Sequence, residues 1–174
     1  LQTLTALYNA AQKFPQSLDV QALAGDIARA CVTFGAQLAW LVQAEPDGTV
    51  RLLHSFPVDV AYPRQITVRW DETTEGQGVV GRSIRTGFPV VVEDIRTDPG
   101  FAPWRETARA HGFACAAGLP LTTRDRPFGA LILNSTQPGF FTPKRVEFFQ
   151  AYANLAAAAL ENARLFEETE QHLH

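Results

Sequence analysis

Apolar residues recur along this chain with two different periods, and the switches between them mark its elements. From Leu1 to Phe14 the residues Leu1, Leu4, Tyr8 and Ala11 recur at steps of three and four, a narrow helical seam that Pro15 closes. Ser17 then stands as an N-cap with Asp19 in the first turn. Val20, Leu23, Ala24, Ile27, Ala30, Cys31 and Phe34 form a broad stripe that ends at Gly35. A stripe that wide belongs to a helix lying flat on a sheet. Thr142 opens a third long helix, with Phe149, Tyr152, Ala156, Leu160, Ala163 and Phe166 on one side and Gln150, Glu161, Glu168 and Gln171 on the other.

Between these helices the period drops to two. Ala36 to Ala44 and Val50 to Phe56 read as a hairpin around the turn Pro46, Asp47, Gly48, and Ile66 to Trp70 alternates as a short strand. Gly76 to Arg85 is a short helix closed by Gly87, Pro89 to Val92 a short strand, and Pro103 to His111 a second short helix with Gly112 beyond its end. Phe113 to Leu121 and Phe128 to Ser135 form an apolar hairpin around the polar run from Thr122 to Pro127. In its second strand Phe128, Ala130 and Ile132 alternate with Gly129, Leu131 and Leu133, so both faces are apolar and the hairpin belongs at the centre of a sheet covered on both sides. The pattern predicts an α+β sandwich with a mainly antiparallel sheet of five or six strands. Helices 1–14, 18–34 and 142–170 lie on one face, and short helices near 77–86 and 103–111 on the other.

Composition narrows the setting. The chain has 174 residues, enough for one domain with a substantial core, and a net charge of -3, which argues against nucleic acid or an anionic membrane as partner. No apolar run is long enough to span a membrane and no charged leader precedes an apolar stretch, so a cytoplasmic location is expected for this segment, without membrane contact. The two cysteines are too few for a disulfide framework. The absence of methionine implies a segment of a longer protein, with an output domain appended elsewhere.

The order of elements resembles the GAF family of sensory domains, and three local motifs carry the resemblance. Gly76, Gln77, Gly78, Val79, Val80, Gly81, Arg82 followed by Thr86, Gly87, Phe88, Pro89, Val90 is similar to the family's glycine-rich helix entry and the strand after it. Asp94, Ile95, Arg96, Thr97, Asp98, Pro99 with Phe101 is similar to the loop that follows. His111, Gly112, Phe113 leading to Gly118, Leu119, Pro120, Leu121 and then Phe128, Gly129, Ala130, Leu131 is similar to its closing hairpin. The resemblance spans roughly residues 18–165. It implies a non-catalytic sensory module of a signal-transduction protein, such as a histidine kinase of a two-component system or a cyclic-dinucleotide enzyme, that binds a small molecule and relays the change through its end helices. It also implies an organisation of 1–17 as an N-terminal signalling helix, 18–141 as sensory core and 142–174 as a helix continuing toward the output. Two alternatives are a dimerisation scaffold without a ligand, its pocket filled by Trp70, Trp104 and Phe101, and a thiol-dependent reductase of free methionine sulfoxide.

Individual motifs add little chemistry. Gly76 to Gly81 spells G-x-G-x-x-G with Glu93 and Asp94 at 17 and 18 residues after Gly76, but the run before it, Trp70 to Glu75, is acidic where a dinucleotide fingerprint needs a buried strand. The glycines are read as a tight entry into a helix close to the sheet. Cys115 has no Lys, Arg or His beside it to activate a thiol and reads as an apolar filler. His111 reads as a helix C-cap, with haem or another bound group left open there. His54, His172 and His174 have no second ligand at metal spacing, and Asp94 and Asp98 read as turn residues. No catalytic residue, metal or cofactor is predicted.

Two expectations concern sites. Long helices laid on a sheet close-pack, whereas short helices and loops rich in Gly and Pro leave cavities. A pocket is therefore expected on the short-helix side, lined by a subset of Trp70, Val80, Ile84, Val91, Asp94, Trp104, His111 and Cys115. The seam Leu1, Leu4, Tyr8, Ala11 and the stripe Ala156, Leu160, Ala163, Phe166 are expected to bury each other in a parallel homodimer, as a four-helix bundle.

Overall fold

The structure of the chain, a computed structural model, describes residues 2–11 and 19–172. Five antiparallel strands form one sheet: β1 (Leu38–Ala44), β2 (Val50–Phe56), β3 (Val90–Val92), β4 (Cys115–Thr123) and β5 (Arg126–Ser135), in the order β2-β1-β5-β4-β3. The apolar hairpin does sit at the centre, because β5 pairs with β1 on one side and β4 on the other. Its turn is tighter than the hexapeptide expected. Arg124 and Asp125 alone make it, both at positive φ (53° and 67°), a two-residue turn whose twist matches the strands.

One face carries α1 (Gln2–Ala11), α2 (Val20–Thr33) and α6 (Pro143–His172). Leu23, Ala24, Ile27, Ala28 and Cys31 of α2, together with Phe149, Tyr152, Ala153, Ala156, Leu160 and Ala163 of α6, close on Leu41, Leu119, Leu121, Leu131 and Leu133 of the sheet. Edge-to-face rings knit the two helices: Phe34 meets Phe148 at 4.8 Å and Tyr152 at 5.6 Å between centroids. Asp19 is the observed N-cap of α2, accepting from Gln21 N (2.9 Å) and Ala22 N (3.4 Å); the expected cap Ser17 and the stop Pro15 lie outside the described residues. Thr142 caps α6 as expected, its hydroxyl accepting from Arg145 N.

The other face carries α3 (Tyr62–Gln65), α4 (Val79–Thr86), α5 (Arg105–Ala110) and 3-10 turns at Thr74–Gly76 and Pro99–Trp104. Their core is aromatic and β-branched: Trp40, Tyr62, Val79, Val80, Ile84, Ile95, Phe101, Trp104, Phe113 and Ile132. Gly118 on β4 permits the close seating of α4, since a Cβ there would collide with the Val79 carbonyl. Two sequence expectations are corrected on this side. Ile66 to Trp70 is not a strand but a single bridge, Thr49 to Arg69, because the Arg69 N–H turns away to the Glu75 carbonyl while the Trp70 N–H bonds across to the Gly48 carbonyl, both at 3.0 Å. Phe128 packs with the long-helix layer rather than with Ala130 and Ile132, since the β4–β5 register shifts at Leu121/Thr122.

Candidate functional site

On the short-helix face, Trp40 on β1 and Asn134 on β5 are brought together by the β1–β5 register, in which Leu38 opposes Asn134 and Trp40 opposes Ile132. The Trp40 indole donates from Nε1 to Asn134 Oδ1 at 2.9 Å, a buried bond. Above them lies a narrow cavity of about 20 Å³, lined by Trp40, Tyr62, Ile66, Val68, Gly78, Val79, Val80, Phe101, Trp104, Ala116, Ile132 and Asn134. At that size it holds about one water. Beside it opens a groove of about 300 Å³ lined by Trp40, Val42, Thr49, Val50, Leu52, Pro63, Ile66, Thr67, Val68 and Arg69. Trp40, Ile66 and Val68 belong to both walls, so they are the partition between cavity and groove.

The cover over this region, residues 62–70, is anchored by buried Tyr62 at its start and by backbone bonds at its end, Arg69 N to the Glu75 carbonyl and Trp70 N to the Gly48 carbonyl at 3.0 Å, with side-chain bonds between. His111 Nε2 lies 2.7 Å from Gln65 Oε1, Trp104 Nε1 donates to the Thr67 carbonyl at 2.7 Å, and Trp70 Nε1 donates to the Glu45 carbonyl at 2.7 Å. Arg69 pairs with Asp71 at 2.8 Å and donates to the Asp47 carbonyl. The Arg69 guanidinium, then the Thr73 hydroxyl, hold the Asp71 carboxyl well below the usual carboxylate range. Arg85 pins the next loop, its Nη1 donating to the carbonyls of Asp71 and Gly76 at 2.6 Å and of Trp70 at 3.2 Å. Tyr62 meets Phe113 and His111 edge-on at 5.2 and 5.6 Å, and burial pushes its hydroxyl above the usual phenol range.

The expected lining is realised in part. Val80 and Trp104 reach the cavity. Ile84 belongs to the same core without reaching it, and Trp70 and His111 serve the cover. Asp94 faces outward, bonded to Arg96 at 3.0 Å, which lowers its carboxyl from the ordinary value. Val91 and Cys115 are corrections: strand alternation turns both toward the long helices, leaving Val90, Val92 and Ala116 on the cavity side. Burial raises the Cys115 thiol, which donates to the Gln137 carbonyl at 3.3 Å, and burial raises the Cys31 thiol strongly. Gly78 makes room for a different neighbour from the sheet expected, since a Cβ there would run into the Trp104 ring. Among the described residues no group of three His, Cys, Asp or Glu side chains is placed to hold a metal ion.

Sequence reasoning missed Trp40, Tyr62, Ile132 and Asn134 as lining residues and named Phe101 only as a side chain filling the pocket of a scaffold. One signal was available: Asn134 is a polar side chain at the end of an apolar strand, in step with Ala130 and Ile132, and it is 2 % exposed.

The end helices depart from expectation too. Ala156, Leu160 and Ala163 are buried within the chain's own core, so the expectation that they need a second subunit for cover is corrected: α1 and α2 pack on α6 beside the sheet, and Val20 N at the start of α2 donates to Glu167 at 3.1 Å. Among the described residues, Tyr8, Leu155, Leu165 and Phe166 are large apolar side chains of α1 and α6 that are exposed. Leu1 and the side chains of Leu4 and Ala11 lie outside what the structure describes.

The sequence model of the GAF domain family matches residues 17–161, most of the chain. This chain belongs to the GAF domain family. Solved structures agree with the fold of a GAF domain. The GAF domain of a phosphoenolpyruvate-protein phosphotransferase from Coxiella burnetii superposes with a TM-score of 0.79 at 15% identity, over 95% of this chain and 96% of that one. Free methionine-R-sulfoxide reductase from Neisseria meningitidis, solved with its substrate, gives 0.74 at 19% identity over 94% and 90%. A domain of a putative two-component sensor histidine kinase from Sinorhizobium meliloti gives 0.65 at 15% identity over 86% and 96%. At such identities the GAF neighbours share the architecture and nothing finer.

Proposed function

We propose that this GAF domain is a non-catalytic regulatory input module of a larger signalling protein, such as a histidine kinase or a cyclic-dinucleotide enzyme. It binds a small molecule between the sheet and the 62–70 cover and relays occupancy through the long-helix layer. The observation that carries this reading is the asymmetry of the sheet. One face is sealed by α2 and α6, while the other holds a cavity beside a groove under a cover whose middle is fastened by single side-chain bonds. Residues 1–17 and the end of the 142–174 segment serve as the links to neighbouring domains, with an output domain appended and a cytoplasmic setting. A homodimer is part of the proposal, through a revised surface. Leu155 and Phe166 are eleven residues apart, three helical turns, and therefore share one side of α6, and Tyr8 of α1 is exposed as well.

The test joins binding to relay. A metabolite collection is screened by the fluorescence of Trp40 and Trp104, and any binder is then followed by hydrogen exchange along α6. Protection that changes in the last turns of α6 supports the module; binding with no change there contradicts it. Sedimentation tests the dimer, with Leu155→Glu and Phe166→Glu expected to give a folded monomer.

Two other readings have specific support. Phe101 and Trp104, in edge contact at 5.6 Å, nearly fill the cavity, as a scaffold without ligand would have it. The reductase neighbour supports an enzyme, yet neither Cys31 nor Cys115 lines the cavity and burial raises both thiols away from reactivity. No reduction of free methionine sulfoxide is expected with a thiol reductant; turnover lost in Cys115→Ser would reverse the assignment.

A further inference from the structure

Asn134 is nine-tenths and more buried, and its amide is oriented by a partner that can only donate. Because the Trp40 indole has no acceptor, the atom facing it at 2.9 Å must be Oδ1, which leaves the Nδ2 group with two N–H donors. Among the described residues Nδ2 has no hydrogen-bond acceptor, and Asn134 lines the cavity. Nδ2 is not fully enclosed by protein atoms, so the acceptor it meets is whatever occupies the cavity. The cavity's other lining is aromatic or aliphatic, with no charged side chain: Trp40, Tyr62, Phe101 and Trp104 surround it with rings. Inside the cavity a carboxylate, phosphate or ammonium would be desolvated without a countercharge, and Arg69 on the groove wall is already paired with Asp71 at 2.8 Å, whereas a flat neutral ring gains from ring contacts.

Resting on the input-module reading, we infer that the ligand of this site is an uncharged, planar molecule whose carbonyl oxygen or ring nitrogen accepts from Asn134 Nδ2, with its remaining rings lying toward the groove. The cavity alone is too small for it. Ile66 and Val68 form the partition from the groove. They sit on a stretch joined to the β1–β2 turn by the single bridge Thr49 to Arg69, and the Trp104 indole holds its middle through the Thr67 carbonyl. Release of that bond joins the two spaces, and the ligand then lies along Trp40.

The test uses three soluble probes of similar ring size and the side-chain amide and indole resonances in solution NMR. Coumarin is neutral with an acceptor, indole is neutral without a good one, and coumarin-3-carboxylate carries a charge. Coumarin is expected to shift the Asn134 Nδ2 protons and the Trp40 Nε1 proton, and to bind at least about tenfold more tightly than either other probe. Asn134→Asp keeps an acceptor for Trp40 but removes the donor, and is expected to weaken coumarin by about tenfold or more. Equal binding of coumarin and indole, or no response of Asn134 to coumarin at its solubility limit, overturns the inference; these wild-type measurements stand even where the variant does not fold. Tighter binding of coumarin-3-carboxylate overturns the neutral ligand while leaving the input-module reading intact. Coumarin bound as described with no change along α6 sustains the ligand class and sinks the relay instead.

Discussion

The two faces of the sheet are built from the same five strands but are closed by different means. Against the long helices, Leu119, Leu121, Leu131 and Leu133 meet regular stripes of α2 and α6, and the cover is continuous hydrocarbon. On the opposite face Trp40, Ala116, Ile132 and Asn134 meet short helices and turns, and the outermost piece, residues 62–70, is anchored at its ends by Tyr62 and two backbone bonds and otherwise fastened through His111, Trp104, Trp70 and Arg69 side chains. Apolar area scales into stability over a whole face, whereas an individual hydrogen bond contributes on the order of 1 kcal/mol. One face therefore holds its shape up to global unfolding, and the other can open locally.

The largest effect expected from this contrast is in the core. Leu131→Ala, on the helix side, should cost about 2–5 kcal/mol by chemical denaturation, and Ile66→Ala on the cover less than about half of that. The reverse order would break the comparison. Gly118→Ala sharpens it from the middle of the sheet. The added methyl collides with the Val79 carbonyl and should cost about 1–3 kcal/mol, with α4 displaced and α6 unaffected in NMR shifts.

A smaller effect comes from the fastening itself. Trp104→Phe removes the donor to Thr67 and should cost about 0.5–1.5 kcal/mol, with faster hydrogen exchange over residues 65–69 and none over α2. The smallest concerns acid. The Asp71 carboxyl is depressed in the folded chain, chiefly by Arg69, so its contribution is full above the ordinary carboxylate pKa of about 4 and is lost as pH falls through the folded value. Protection factors at residues 69–73, taken relative to the intrinsic exchange rate at each pH, should be unchanged between pH 7 and about 4 and fall only below that; loosening already near pH 6 would remove Asp71 from the fastening.

The helix face was readable in the sequence because its signals are periodic: the stripe Val20 to Phe34 and the alternation of Leu131 and Leu133 name the residues that meet. The cavity was readable only as a side of the sheet. Its lining depends on which strand residues face upward, and a one-residue error in β3 and β4 placed Val91 and Cys115 on the wrong side, where Val92 and Ala116 belong. Tyr62 and Phe101 lie in short, aperiodic turns whose positions are set by tertiary bonds such as Arg85 to three carbonyls, and Trp40 reaches Asn134 only through strand pairing across 94 residues of sequence. The end-helix seam was misjudged for a related reason. Periodicity marks Ala156, Leu160 and Ala163 as one apolar side of α6 but does not say whether the cover is the chain's own sheet or another subunit.

Native-state hydrogen exchange, resolved by residue in low denaturant, measures the contrast between the two faces most directly. Amides of α2, of β1 and β5, and of α6 between Phe149 and Ala163 should exchange only through global unfolding. Those of residues 64–70 should exchange through a smaller opening that is insensitive to denaturant. Cover amides protected to the global level, or α6 amides exchanging before them, would contradict the account.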